Sequence, residues 1–452
     1  MIESFLIIFA IIQLIRNRIA PVIAIILCFF ESYSFSGESI SNLLFEHNYS
    51  DIGLFLMLLL LINLISRRKN THDSPLKGLQ KNLIIFFSFY FLLVIIDLLF
   101  NNIHFSSEIR MLRQWTCLIL IWFVKYIKPA EVKNLLYYLL FISVGISLVF
   151  IFEYFTNSDI TGAIRSLNKT RASVPWILSL LVFCLLLNNF YSINSFLKWT
   201  FIAIIGVEVL FTASRSLFIA YSLSAIIILF LFDSKINLKK FLYVALIAGG
   251  IVFLFSSDNV LTRRFLGAQQ EVSNLGASNA KVSGNFSFRV LLLNERIEYI
   301  NKNLQYAVFG IGNVQEKDFH NKVFKIGMRK GNRHRGDIVQ LDTSDIAWAV
   351  LILRLGYLGT FIYIGLFYIK TIWHYRKYRN QKGSFATAVY LAINLLVVSI
   401  TYSYITNSFF WVLPILMLRL TLNEKARIKK VKDESSLQLE RQNVSHSKLI
   451  SI

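Results

Sequence analysis

Long apolar runs, each bounded by a few charged residues, constrain this chain more than any other feature. They lie near residues 2–15, 19–35, 51–66, 82–100, 112–127, 131–155, 173–190, 198–213, 215–232, 241–256, 345–370, 385–402 and 404–420. A helix needs about 20 apolar residues to cross a bilayer core, so runs of this kind read as membrane helices rather than as alternating barrel strands. The expected fold is all-α, a polytopic integral membrane protein with about 12 or 13 transmembrane helices. The first run is short, and a tilted or interfacial placement suits it as well as a full span. Composition excludes the soluble alternative: mean hydropathy is +0.57 and only 16% of residues are charged.

Net charge is +21, which by itself would suit a nucleic-acid partner. The placement of the charges argues against nucleic acid. Arg16/Arg18, Arg67–Lys69, Lys125/Lys128/Lys133, Lys198, Lys235/Lys239/Lys240, Lys370–Lys382 and the tail from Lys425 to Lys448 fall on one side if the spans alternate. Basic clusters mark the cytoplasmic side. Cys28, Cys117 and Cys184 lie inside apolar runs, so neither a disulfide framework nor a metal site is indicated, and no cofactor is called for. The run Phe5–Ile15 lacks a small-residue cleavage site and reads as part of the mature protein.

The organisation that follows is a transmembrane bundle over 1–256, a large external loop over 257–344, C-terminal transmembrane helices over 345–420, and a basic cytoplasmic tail over 421–452. The loop holds 13 Lys/Arg against 8 Asp/Glu, which long loops tolerate on the outer side. Within it, 267–285 reads as a flexible linker, Phe286–Asn303 as an amphipathic helix, and Phe309-Gly310-Ile311-Gly312 as a tight turn. The basic segment Lys322–Arg335 suits an anionic lipid surface. Asp342-Thr343-Ser344-Asp345 reads as the cap of a helix beginning at Ile346.

Three short segments carry chemistry. Thr212-Ala213-Ser214-Arg215-Ser216 opens a membrane helix on the outer side. Ser287-Phe288-Arg289-Val290 precedes the Gly310/Gly312 turn by about 20 residues, and Asp342 to Trp348 precedes Leu353-Arg354-Leu355-Gly356-Tyr357-Leu358-Gly359. An arginine at bilayer depth costs about 2.5–3.5 kcal/mol and persists mainly where it serves a pathway or a ligand. Its planar fork suits phosphate oxygens. Each residue also has a plainer reading. Arg215 is a snorkelling residue at a helix end, Arg289 a surface charge, and Arg165 and Arg171 loop solubility. Asp342 and Asp345 are helix caps, and Arg354 is a buried cation in need of an acidic partner, Glu208 being one option. Asp97 and Glu153 are further acids in or near the membrane, and His320 and His334 are alternative bases in the basic loop. Tyr154, Trp176 and Trp348 suit sugar stacking or an interfacial belt.

In order and spacing over roughly 160–420, these segments resemble the bacterial O-antigen ligase/polymerase superfamily, most closely Wzy-type repeat-unit polymerases. The resemblance implies a GT-C-like glycosyltransferase of the bacterial inner membrane. The implied substrate is a glycan on undecaprenyl pyrophosphate at the periplasmic face, joined without a metal ion. It implies Arg215 and Arg289 as the pyrophosphate grip and leaves the base open. From the residues themselves, Arg165, Arg171 and Arg354 are candidates to extend the anion site, and Asp345 or Asp342 to take the proton of the acceptor hydroxyl. Membrane lipid and a chain-length regulator protein are the implied partners. Ligases carry a His-Asn pair where this chain has Ser344-Asp345, which favours polymerase over ligase. A lipid-linked oligosaccharide flippase is the alternative from another class, and it predicts charges spread along several spans.

Overall fold

The structure is a computed structural model. It describes residues 2–30, 49–66, 76–100, 108, 112–156, 178–212, 214–231, 285–314, 319, 324–326, 328–329, 338–341 and 346–422. Helices dominate, and in chain order they are α1 (Ile2–Ile15), α2 (Ile19–Phe30), α3 (Tyr49–Ser66), α4 (Lys77–Phe100), α5 (Trp115–Tyr126, largely 3-10), α6 (Pro129–Thr156), α7 (Ser179–Leu187), α8 (Ser195–Phe211), α9 (Arg215–Leu231), α10 (Asn285–Asn301), α11 (Leu304–Phe309), α12 (Ala347–Lys377), α13 (Lys382–Leu396) and α14 (Phe409–Leu422). The described strands are a two-residue antiparallel pair, β1 (Met328–Arg329) and β2 (Ile338–Val339).

Among the described residues, four stretches are long and apolar enough to cross a membrane: Lys77–Leu99, Pro129–Thr156, Ala347–Lys377 and Gly383–Ile400. This is an α-helical membrane protein. Other apolar helices are shorter. The 12 residues of α2 rise about 18 Å, less than a bilayer core of about 30 Å. The run expected at 241–256 and the basic tail lie outside the described residues. Outward faces carry bare hydrophobics, such as Phe91, Leu99, Phe141 and Phe155, each 60% exposed or more. In water such faces would be a liability; in lipid they cost nothing.

Contacts between helix ends test the alternation read from the basic clusters. The Glu131 carboxylate at the start of α6 accepts the Ile19 and Ala20 N–H groups at the start of α2, at 3.0 and 2.9 Å. Two orphan donors of α2 are thereby satisfied. Asn17, in the left-handed conformation, makes the tight α1–α2 turn. Tyr191 donates to the Leu136 carbonyl, and Arg419 of α14 donates to the Ile127 carbonyl. Arg16/Arg18, Lys125/Lys128/Lys133, Lys198 and the end of α14 therefore gather at one end of the bundle. The N-terminal half of α4 meets the C-terminal half of α12 through Asn82 and the Leu366 carbonyl, so these two run antiparallel.

The runs 385–402 and 404–420 are not two simple spans. After α13 the chain breaks into 3-10 turns at Val398–Ile400 and Tyr404–Thr406, and a third, Ser408–Trp411, forms the first turn of α14. Irregular backbone at membrane depth survives only where protein groups satisfy it. Here Tyr363 donates to the Ile405 carbonyl and in turn accepts from Trp411 Nε1 at 2.7 Å. Tyr375 donates to the Pro414 carbonyl and Tyr368 to that of Leu391.

Candidate functional site

The loop helix expected over Phe286–Asn303 is α10, and it packs on the first half of α12. Leu292 of α10 joins Ile346 and Ala349 in a small apolar cluster, with Phe288 and Trp348 against it. Ile300, Ile311, Phe324, Leu341 and Leu353 form a second. Arg296, 1% exposed, pins the loop: it donates to the Gln340 carbonyl at 2.9 Å and lies 4.0 Å over the Phe324 ring. Glu295 accepts the N–H groups of Lys325 and Ile326. These clusters seat the loop on the membrane helices and set the direction in which α10 presents Arg289.

The turn at Gly310 and Gly312 docks into a break in α12. Gly356 lies inside that helix with φ 63 and ψ −173, and Gly310 has φ 74 and ψ −170. Both lie in a region essentially confined to glycine. The break at Gly356 interrupts the helical ladder, and the Leu353 and Arg354 carbonyls accept from Ile311 N–H at 2.8 Å and Gly312 N–H at 3.2 Å. The second and third motif segments are thus one structural unit, a backbone hook.

Below the hook lies a polar cluster. Asn313 is its hub: its N–H donates to Asp97 Oδ2 at 2.8 Å, its amide donates to Glu108 Oε2 at 2.6 Å, and its Oδ1 accepts from Tyr90 at 2.8 Å. Arg354, 5% exposed, donates to the Val314 carbonyl at 2.9 Å. Tyr90 is within electrostatic reach of Glu108, Arg354 and Asp97. Asp97, Glu108 and Arg354 thus all lie around Tyr90. Glu208, the partner considered from sequence, instead accepts from Ser147. Arg354 acts here as a strut of the hook. Sequence reasoning noted Asp97 but missed Glu108 and Asn313. The available signal was an amide directly after a double-glycine turn, a residue able to serve three partners at once.

Glu108 sits outside the membrane helices, and burial, with Asp97 beside it, pushes its pKa up to about 7 despite the Asn313 bond, which lowers it. A carboxyl whose folded pKa is raised binds more protons folded than unfolded, so its cluster loses stability as pH rises from about 4.5 to about 7. Amide exchange at residues 311–314 is expected to be slower at pH 5 than at pH 8 after correction for intrinsic rates. Glu108→Gln should flatten that difference, worth about 1–3 kcal/mol. Equal pH dependence in the variant would show that Glu108 is not the titrating group.

At the end of the bundle opposite the gathered basic residues, a second, hydroxyl-rich cluster surrounds the Arg215 segment. Ser214 lies 3.1 Å from the Tyr402 hydroxyl, and Thr401 donates to Ser216 at 2.8 Å. Tyr402 stacks on Tyr404 at 4.8 Å between centroids. Trp348 donates to Ser399 at 3.0 Å. A continuous path runs from Phe288, beside Arg289, through Trp348 and the turn at 399–404 to Ser216, beside Arg215. Arg215 and Arg289 are both half-buried. Tyr154 stacks on Phe211 at 4.3 Å, just before this segment. Ile346, one residue after the expected cap segment, holds the N-cap position of α12 and makes no side-chain cap bond. Asp342, Asp345, Arg165, Arg171, Trp176, His320 and His334 lie outside the described residues.

No family model matches this chain. No curated protein sequence matches it either. The geometry of these two clusters therefore has to support any functional reading.

Proposed function

We propose that the chain is a membrane glycosyltransferase that joins undecaprenyl-pyrophosphate-linked oligosaccharide repeat units at the periplasmic face of a bacterial inner membrane. The supporting observation is the path that links the Arg215 segment, α10 with Arg289, and the start of α12 at one end of the bundle. That end lies opposite the gathered basic clusters, as the sequence reading requires of an external site. Two half-buried arginines with hydroxyls and aromatic rings between them suit a sugar attached to a pyrophosphate.

In this reading, a hydroxyl oxygen of one repeat forms a bond to the anomeric carbon of the other. The bond from that carbon to the lipid pyrophosphate breaks. The pyrophosphate leaves with the bonding electrons, and its charge is held by the arginine forks. The hydroxyl proton passes to a carboxylate, for which Asp345 and, in reserve, Asp342 are proposed. Arg165 and Arg171 are proposed to extend the anion site. The purified full chain, given only lipid-pyrophosphate oligosaccharide, should produce a ladder of glycans in repeat-unit steps. A product that forms only when lipid A-core is added would assign the chain to the ligases. Movement of the lipid-linked glycan across vesicles without any new bond would assign it to the flippases.

Asparagine caps a helix about as well as aspartate but accepts no proton at neutral pH. Asp345→Asn is expected to leave a membrane-inserted protein that makes single repeats and at least about 100-fold less polymer, within the range of general-base contributions. Normal ladders from both Asp345→Asn and Asp342→Asn would take both residues out of the reaction.

A further inference from the structure

The opposite end of the bundle carries a cavity that the proposed reaction does not use. The last turns of α12 read Ile369-Lys370-Thr371-Ile372-Trp373-His374-Tyr375-Arg376-Lys377. The positive-inside bias and the helix dipole account for cations here. Neither accounts for the space those cations line. Lys370, Arg376, Lys377 and Arg379, with Trp373 and His374, wall a cleft of about 840 Å³, within the size range of small-molecule sites. No acidic side chain is among its described lining residues.

Local structure keeps the cleft open. Across from α12, the start of α4 contributes Gly78, where an added Cβ would meet nothing within 4 Å. On α12, Gly365 lies in the π-helical segment Ile362–Tyr368, a widened turn that shifts the register of the basic residues after it. The Arg376 guanidinium lies 5.0 Å from the centre of the Trp373 ring, which is 59% exposed. His374 Nε2, 3.4 Å from Thr421 Oγ1, ties this wall to α14. Leu76, Leu79 and Ile369 give the cleft an apolar floor beside the cations.

We propose that this cleft binds the phosphate ester of an anionic phospholipid headgroup from the leaflet on the basic side. Three features select that occupant. Four cations, with no carboxylate among the described lining residues, suit an anion. The apolar floor suits glycerol and the first acyl carbons rather than free phosphate. An exposed tryptophan beside arginine is an arrangement suited to headgroup depth. The site is independent of the glycan reaction, and its test does not use that reaction.

The test uses the full-length chain in phosphatidylcholine nanodiscs, into which brominated phosphatidylglycerol or brominated phosphatidylcholine is titrated. The readout is the tryptophan fluorescence that Trp373→Phe removes. Quenching by the phosphatidylglycerol probe is expected at a mole fraction at least about fivefold lower than by the phosphatidylcholine probe. Combined Lys370→Ala, Arg376→Ala and Arg379→Ala should abolish this preference. Combined Lys125→Ala, Lys128→Ala and Lys133→Ala, which removes as much charge at the same end, should keep it. If the triple variant does not accumulate, Arg379→Gln, at an exposed side chain, should still weaken the preference about fivefold. Equal quenching by the two probes overturns the proposal. So does a preference unchanged in the cleft variants, or one lost equally in the Lys125 set. Displacement of the lipid by millimolar inorganic phosphate would give the site to the free anion and overturn the lipid assignment.

Discussion

Arg215→Ala and Arg289→Ala are each expected to abolish long glycan while leaving the amount of membrane-inserted protein unchanged. Each side chain is half-buried, and each follows a residue of the path that joins the three motif segments: Ser214 hydrogen-bonds with Tyr402, and Phe288 packs on the same small apolar cluster as Trp348. Losing one donor aimed at developing negative charge typically costs about 100- to 1000-fold in rate. Lysine keeps the charge but loses the fork, so Arg215→Lys and Arg289→Lys should recover only part of the activity. Glycan ladders in a strain lacking the native chain, normalised to protein level, provide the measurement. Wild-type ladders from both alanine variants would refute a pyrophosphate grip.

Gly310→Ala and Gly356→Ala are expected to be the most damaging single substitutions in the described fold. A Cβ on Gly310 would press into the Arg354 carbonyl, and one on Gly356 into the Val308 carbonyl, far inside contact distance. Both obstacles are backbone, which cannot rotate away. Each residue also lies where a side chain costs about 1–3 kcal/mol before any clash. A combined loss above about 4 kcal/mol follows, enough to undock the hook and release the Ile311 and Gly312 N–H groups from α12. Gly206→Ala is the control, since its Cβ would meet nothing within 4 Å in the middle of α8. The measurement is the melting of the solubilised protein together with protease cutting near residue 312. If Gly310→Ala melts with Gly206→Ala, the hook does not hold the loop.

Much of the fold was legible in the chain because membrane helices are written as one-dimensional hydropathy. α6 appeared within two residues of the run at 131–155, and α10 within two of its expected ends. The Gly310/Gly312 turn was also visible, since closely spaced glycines announce unusual backbone. Hydropathy averages over a window, so it passed over the breaks at Gly356 and at 397–408, where a few residues leave the helix without losing apolar character. The site was legible in part. Arg215 and Arg289 stood out as charges beside apolar runs, whereas Glu108 and Asn313 looked like ordinary loop residues. Their importance lies in a meeting of segments more than 200 positions apart, with Asn313 against Asp97 and Glu108.

By itself, the sequence determined that this chain is a helical membrane protein and which helix ends share a side. Both follow from local quantities: the free energy of placing each residue in lipid and the bias of Lys and Arg between loops. Only the tertiary structure decided which polar residues meet. It gave Arg354 to the hook rather than to Glu208, and it brought Ser214 and Ser216 to the turn at 401–402. The physical reason is that a buried polar group must find a partner wherever packing brings one. Packing between helices depends on shape across distant segments, which no window along the chain contains.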